Sequence, residues 1–280
     1  MRYMDSFLDA GGGPRRFRSY LPDATERSFY RGKRPAVVIF PGGGYGFTFE
    51  GEAEPIALAF LAEGIPAFVL DYSTTEITDR VYPFAILEAF AAIRTVREKA
   101  EEYGIDPRNI ASLGFSAGGH LCACTGTLWN KPFMSGLLNG ASEASRPDKM
   151  ILCYPVIRAV PPCHEGSFLN LFGSREALTE ERKELFSLQN QVDDLTPPSF
   201  LWTTSEDTAV PIQGALEFAH ALADHHVHTE FHLYPHGGHG SCLGNHVTEA
   251  LPYPDPMTSA AWIPDAVRFL YDPDLSRPVE

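Results

Sequence analysis

The segment NIASLGFSAGGH, residues 109–120, carries two instructions in succession. Asn109 to Phe115 is a short, largely apolar run and predicts a strand. Gly114-Phe115-Ser116-Ala117-Gly118-Gly119 then turns that strand into a helix. The pattern G-x-S-x-G is common by itself, and its position gives it weight. At a strand-to-helix junction the turn forces the serine backbone into a crowded conformation, so only small residues fit two positions to either side, and Gly114 and Gly118 supply the room. Ser116 is thereby expected at a helix N-terminus, where unpaired N–H groups and the positive dipole end face a reacting carbonyl. A phosphate-cradling turn is the alternative, but it lacks both a Walker lysine and G-x-G-x-x-G.

Working outward, strand and helix signals alternate. AVVIF (36–40) is followed by a PGGGYG loop and an apolar helical stretch near 53–63, then by PAFVL (66–70). An amphipathic helix is predicted over about 83–103, with Gly104 as its stop. MILCY (150–154), PSFLWTT (198–204) and TEFHLY (229–234) read as strands, and helices are expected near 212–223 and 260–271. This rhythm implies one α/β domain over 1–280, with a mostly parallel sheet covered on both faces. Residues 1–35 are polar, rich in Arg and Gly, and end in RGKRP (31–35); they read as a solvated approach to the first strand. Residues 158–197 break the rhythm with PPCHEGS and the charged run LTEERKELF. They read as an insertion over one end of the sheet, either a lid or substrate wall or structural filling.

A serine hydroxyl needs a neighbouring base to take its proton, and the base needs an acid to orient it. Both are available at predicted strand ends beyond the serine. Asp207 leads the turn SEDTAVP (205–211), and His239 lies in YPHGGHG (234–240). His239 is favoured because its glycine-flanked loop leaves it room to approach the hydroxyl; His236 is the second choice. Asp207 is preferred to Glu206, while Asp193 and Asp194 read as surface charges or loop caps. His225, His226 and His228 are most simply solvated. A zinc site built from His228, His232, His236 and His239 matches no closed ligand set, so no metal is expected.

The oxyanion of a tetrahedral intermediate also needs donors. Pro41-Gly42-Gly43-Gly44-Tyr45 lets backbone N–H groups point into a cavity without side-chain obstruction. Gly43 and Gly44 are candidate donors, with Ala117 as another; a plain tight turn is the simpler reading of the loop alone. Tyr45, Phe115 and parts of 158–190 are candidate pocket walls.

Lys and Arg number 22 against 36 Asp and Glu, for a net charge of −14. Such an excess of anions repels phosphate backbones and anionic lipid, which argues against nucleic-acid and membrane partners. The longest apolar candidate, Ile56 to Leu70, carries Glu63 and Pro66 and is too short for a membrane span. Asp5 and Asp9 interrupt any signal peptide. The five cysteines lack C-x-x-C spacing and read as reduced core residues. A cytoplasmic protein is expected.

In PGGGY, GFSAGGH, TPPSFLWTTSEDTAVP and YPHGGHG the chain resembles α/β-hydrolase-fold esterases. The likeness is nearest to the BD-FAE-like branch of bacterial acetylxylan and feruloyl esterases, related to hormone-sensitive-lipase-like enzymes, and it runs from about residue 35 to 271. It implies Ser116 as nucleophile, Asp207 as acid and His239 as base. It further implies a short-chain acetyl ester as substrate, such as an acetylated xylo-oligosaccharide or another sugar ester, and no cofactor. Two departures matter. Pro41 stands where lipase-like relatives place His, which points to the acetylxylan-esterase branch. No leader is visible, which favours imported oligosaccharides over a polymer. Serine peptidases of the prolyl-oligopeptidase type share the order of the three residues and the D-x-x-V-P turn, but need a propeller or cap to select peptides. A catalytically silent ligand-binding protein on the same fold typically lacks one of the three.

Overall fold

Along the strand Arg34–Phe40 the side chains alternate, Val37 and Ile39 pointing to one face of a sheet and Val38 and Phe40 to the other, and all four are fully buried. A strand buried on both faces must be covered twice. The computed structural model, which describes residues 1–23, 33–138, 142–248 and 257–276, contains that arrangement. Eight strands form one sheet: β1 (Arg2–Asp9), β2 (Pro14–Leu21), β3 (Arg34–Phe40), β4 (Ala67–Leu70), β5 (Ile105–Phe115), β6 (Lys149–Cys153), β7 (Ser199–Thr204) and β8 (Thr229–Tyr234). Their spatial order is β1-β2-β4-β3-β5-β6-β7-β8, with β3 to β8 mutually parallel and β2 antiparallel to both its neighbours, β1 and β4.

The helices are α1 (Glu54–Ala62), α2 (Val81–Glu98), α3 (Ala100–Tyr103), α4 (Ser116–Thr127), α5 (Pro132–Leu137), α6 (Ser142–Ser145), α7 (Glu165–Phe172), α8 (Glu180–Leu185), α9 (Gln213–Asp224) and α10 (Trp262–Tyr271). On one face α1 and α10 pack Phe60, Trp262 and Phe269 against Val37, Leu113 and Trp202. On the other, α2, α4 and α9 bring Phe90, Leu121 and Phe218 against Val38, Leu152 and Leu201. The helix expected over 83–103 is split into α2 and α3, and Gly104 ends the second in the left-handed conformation at φ 70°. Among the described residues, no helix is long and apolar enough to cross a membrane.

The opening residues correct the sequence reading. Positions 1–23 supply the hairpin β1–β2, which extends the sheet, instead of a solvated approach; Arg31 and Gly32 of the RGKRP run lie outside the described residues. The arginines of β2 made the stretch look polar, yet two of the three are committed inward, while Arg16 stays exposed and pairs with Asp5 of β1 at 2.7 Å. Arg15 pairs with buried Glu88 of α2 at 3.1 Å, and Arg18 reaches Asp71 at 2.6 Å. Their apolar stems cover the sheet while the guanidinium groups find carboxylates.

Candidate active site

β5 ends at Phe115, and α4 starts at the next residue, Ser116, whose backbone is forced into the left-handed region at φ 53°. A serine in that conformation is strained and persists only where the surroundings over-determine it. The crossing is tight: a Cβ on Gly118 would strike the Phe40 carbonyl, and one on Gly114 would strike the Gly118 carbonyl. Glycine is therefore required at both positions, two residues either side of the serine.

Asp207 follows β7 and His239 follows β8, so all three side chains stand at the C-terminal rim of the parallel strands. His239 Nε2 lies 2.8 Å from Ser116 Oγ, and His239 Nδ1 lies 2.7 Å from Asp207 Oδ2. The second carboxylate oxygen of Asp207 accepts from the amides of Ala209 at 3.0 Å and Val210 at 2.9 Å, which lock its orientation. With the Asp207 side chain 1% exposed and the imidazole packed edge-on against Tyr154 at 5.1 Å, the line has little freedom to open.

The second choices are elsewhere. His236 Nδ1 pairs with Glu206 at 3.0 Å, both well exposed, and Glu206 also accepts from the Gly237 amide. His232 pairs with Glu230 near Asp265, and Arg268 already bridges the two acids. The four histidines considered for zinc therefore do not gather at one point among the described residues. Asp193 holds Lys131 at 2.9 Å, and Asp194 holds His225 at 2.8 Å.

A cavity of about 350 Å³ opens beside Ser116 and His239. Gly43 and Gly44, at φ 126° and 64°, line it, and neither amide has a protein acceptor among the described residues. Ala117 is the second residue of α4, so its N–H belongs to the first turn and has no partner four residues back. Phe47 and Phe49 give the cavity an apolar side, and the region 158–197 contributes His164 and Asn170. Asn170 Nδ2 donates to the Gly44 carbonyl at 2.9 Å, and His164 Nδ1 meets buried Ser167 Oγ at 2.8 Å. Burial and the nearby His239 hold the His164 imidazole below its ordinary pKa, favouring the neutral ring.

Two expected pocket walls are not walls. Phe115 is fully buried among Tyr154 and Trp262 on the α1/α10 face of the sheet, because strand alternation sends it there while the turn lifts Ser116 out. Tyr45 is also fully buried; its hydroxyl is 2.8 Å from His120 Nδ1, beneath the glycine loop. Residues without a sequence motif line the cavity in their place: Glu52, His164 and Asn170. Glu52 is 2% exposed and takes the Gly42 amide at 2.6 Å and the Tyr154 hydroxyl at 2.7 Å. Burial pushes its pKa up, opposed by those two donors and by His239.

A larger cavity, about 520 Å³, lies at the opposite end of the strands around Asp106 and Asp148. Its Lys149 ammonium is occupied with the carbonyls of Phe269 and Leu270 at the end of α10, and burial lowers its pKa to about 8. It offers a helix cap instead of a reactive amine.

With a serine, an imidazole and a carboxylate in one hydrogen-bonded line on the rim of a doubly covered parallel sheet, the molecule falls among the α/β-hydrolases. More narrowly, the chain belongs to the BD-FAE family, whose model matches residues 20–222. It is 36% identical over 220 residues to the endo-1,4-beta-xylanase B of Butyrivibrio fibrisolvens, covering 76% of this chain and 33% of that protein. To an acetylxylan esterase of Xylanibacter ruminicola it is 31% identical over 215 residues, 75% of this chain and 41% of that one. The chain thus spans less than half the length of both. An acetyl ester-xyloside bifunctional hydrolase from Caldicellulosiruptor lactoaceticus superposes with a TM-score of 0.76 at 34% identity, covering 94% of this chain and 89% of the other. A carboxylesterase from Lactobacillus plantarum superposes with a TM-score of 0.84 at 28% identity over 98% of each. Three of these four proteins carry ester hydrolysis in their names.

Proposed function

We propose that the chain is a serine esterase that removes short acyl groups, acetyl above all, from sugar esters such as acetylated xylo-oligosaccharides. The reading rests on the hydrogen-bonded line from Asp207 through His239 to Ser116, open to a cavity at the serine end. Ser116 Oγ attacks the ester carbonyl and gives its proton to His239 Nε2. Asp207 holds the imidazole tautomer and balances the imidazolium. The amides of Gly43, Gly44 and Ala117 receive the oxyanion. His239 then protonates the departing sugar oxygen, and water activated by the same ring releases acetate from Ser116. No cofactor enters these steps.

Two observations support a small acyl group on a polar alcohol. The cavity, about 350 Å³, is near the lower end for small-molecule sites. It also sets the apolar Phe47 and Phe49 together with the polar His164 and Asn170. The names of the acetylxylan esterase and the acetyl ester-xyloside hydrolase agree with that preference. Five free cysteines, four of them buried, support an intracellular setting.

The test is hydrolysis of chromogenic acetyl, butyryl and longer acyl esters beside acetylated xylo-oligosaccharides. Purified protein is expected to prefer acetyl, and Ser116→Ala to abolish turnover with the melting temperature unchanged. Turnover surviving in S116A, or a preference for long acyl chains, overturns the reading.

A further inference from the structure

Glu52 is a buried carboxyl that the chemistry above does not use. Among the described residues, no lysine or arginine pairs with it, although a buried carboxylate without a cation is costly unless its oxygens are well hydrogen-bonded. Its donors decide its role. The Gly42 N–H points at Oε2 over 2.6 Å, and the Tyr154 hydroxyl points at Oε1 over 2.7 Å. The Tyr154 oxygen in turn accepts the Cys242 N–H at 3.0 Å, so its own proton is free to go to Glu52. Both carboxylate oxygens accept, which is the arrangement of an ionised group.

The partners lie on both sides of the reacting centre. Gly42 precedes Gly43 in the glycine loop. Tyr154, held in the left-handed region at φ 36°, stacks edge-on against the His239 ring at 5.1 Å. Cys242 lies three residues beyond His239 on the same loop. Two residues past Tyr154, the Val156 N–H reaches the Ser116 carbonyl at 3.0 Å. One carboxylate thus ties together the loop that supplies oxyanion donors, the ring that backs the histidine and the loop that carries it.

We propose that Glu52 is a positioning residue for ester hydrolysis, fixing the oxyanion loop against the His239 loop through Gly42 and Tyr154. This rests on the serine-esterase reading above. Glutamine at this position has one acceptor oxygen for two donors, so one of the two ties is lost while shape and volume are kept. Tyr154→Phe cuts the same tie from the other end without touching the carboxyl.

The experiment measures kcat and KM on a chromogenic acetate ester for wild type, Glu52→Gln, Tyr154→Phe and the double variant, each corrected for folded fraction. Both single variants are expected to lose kcat ~10- to 100-fold, since small misplacements of reacting groups have effects of that size. KM is expected to stay within about threefold, because ground-state binding is not the interaction removed. The double variant is expected to fall no further than the worse single variant, since both break one network. If E52Q and Y154F keep wild-type kcat while S116A is dead, the Glu52 role is refuted and the esterase reading stands. Additive losses in the double variant, or a melting temperature that falls with kcat per folded molecule intact, also refute it. Wild type inert towards every acyl ester overturns both.

Discussion

The Tyr45 hydroxyl donates to His120 Nδ1 over 2.8 Å, and the same ring's Nε2 donates to the Phe186 carbonyl at 3.1 Å. A peptide carbonyl can only accept, which puts the ring proton on Nε2 and leaves Nδ1 to receive Tyr45. Both side chains are fully buried, so this imidazole joins the glycine loop, helix α4 and the region 158–197 from beneath the cavity. It is the last residue of the GFSAGGH motif, and its work is to hold the parts together.

Burial presses the His120 pKa down from 6.5 to about 4. In the unfolded chain the ring takes a proton near its ordinary value, whereas the folded protein resists until much lower pH. Stability from this group is therefore complete above pH ~6.5 and drains away as the pH falls towards ~4. At pH 5 the expected loss relative to pH 7 is about 2 kcal/mol by linkage. Urea unfolding at the two pH values should register it, and His120→Gln, which cannot titrate, should flatten the difference. An equal pH dependence in wild type and H120Q would rule the mechanism out.

Asp207→Asn tests the orienting carboxylate without changing its size. The Ala209 and Val210 amides can still hold the side-chain oxygen, but the amide nitrogen turned to His239 Nδ1 donates where it should accept. That selects the wrong imidazole tautomer and removes the charge that balances the imidazolium. A kcat loss of ~1,000- to 10,000-fold with little change in KM is expected from steady-state kinetics on an acetate ester. A variant within tenfold of wild type would mean that His239 does not need this partner.

These three groups were legible from the sequence because a nucleophile turn and strand-end loops leave short patterns: G-x-S-x-G at Ser116, D-x-x-V-P at Asp207 and the glycine-flanked His239. The parallel sheet was legible for a similar reason, since buried strands such as 36–40 and 150–154 are nearly unbroken apolar runs. Glu52, Tyr154, His164 and Asn170 left no such mark. Glu52 and Tyr154 stand on separate segments, His164 at the N-cap of α7 and Asn170 within it, and only tertiary folding brings them to or behind the cavity wall. Proximity in sequence misled for Tyr45 and Phe115, because a neighbour of a cavity-lining residue points into the core as readily as into the site. The hairpin β1–β2 was hidden by Arg15 and Arg18, whose carboxylate partners Glu88 and Asp71 are remote in sequence.

That hairpin yields a stability prediction. Glu88 is fully buried and takes the Ser73 amide and hydroxyl, both at 2.7 Å, as well as Arg15 at 3.1 Å. Glu88→Ala leaves the Arg15 guanidinium buried without its counter-charge, which should cost about 3–5 kcal/mol in chemical denaturation. Glu88→Ala combined with Arg15→Met should recover part of that loss, because the stranded charge goes with it. A double variant no more stable than the single one would show that the ion pair is not what pins the hairpin.

Asn170 gives the sharpest test of the cavity wall contributed by residues 158–197. Its Nδ2 donates to the Gly44 carbonyl at 2.9 Å, and this bond ties down the glycine loop that lines the cavity. Asn170→Ala releases that carbonyl, lets the loop rotate and should lower kcat ~10-fold. Asn170→Asp is nearly isosteric, but it replaces the donor by a carboxylate directed at a carbonyl oxygen and beside the proposed oxyanion position. Repulsion of both should lower kcat by ~100-fold or more, so alanine should outperform aspartate at this position. The gap should narrow as the pH is lowered, because the introduced carboxylate, once protonated, regains a donor and loses its charge. If aspartate matched or exceeded alanine at neutral pH, the Gly44 loop would not be the place where oxyanion charge is received.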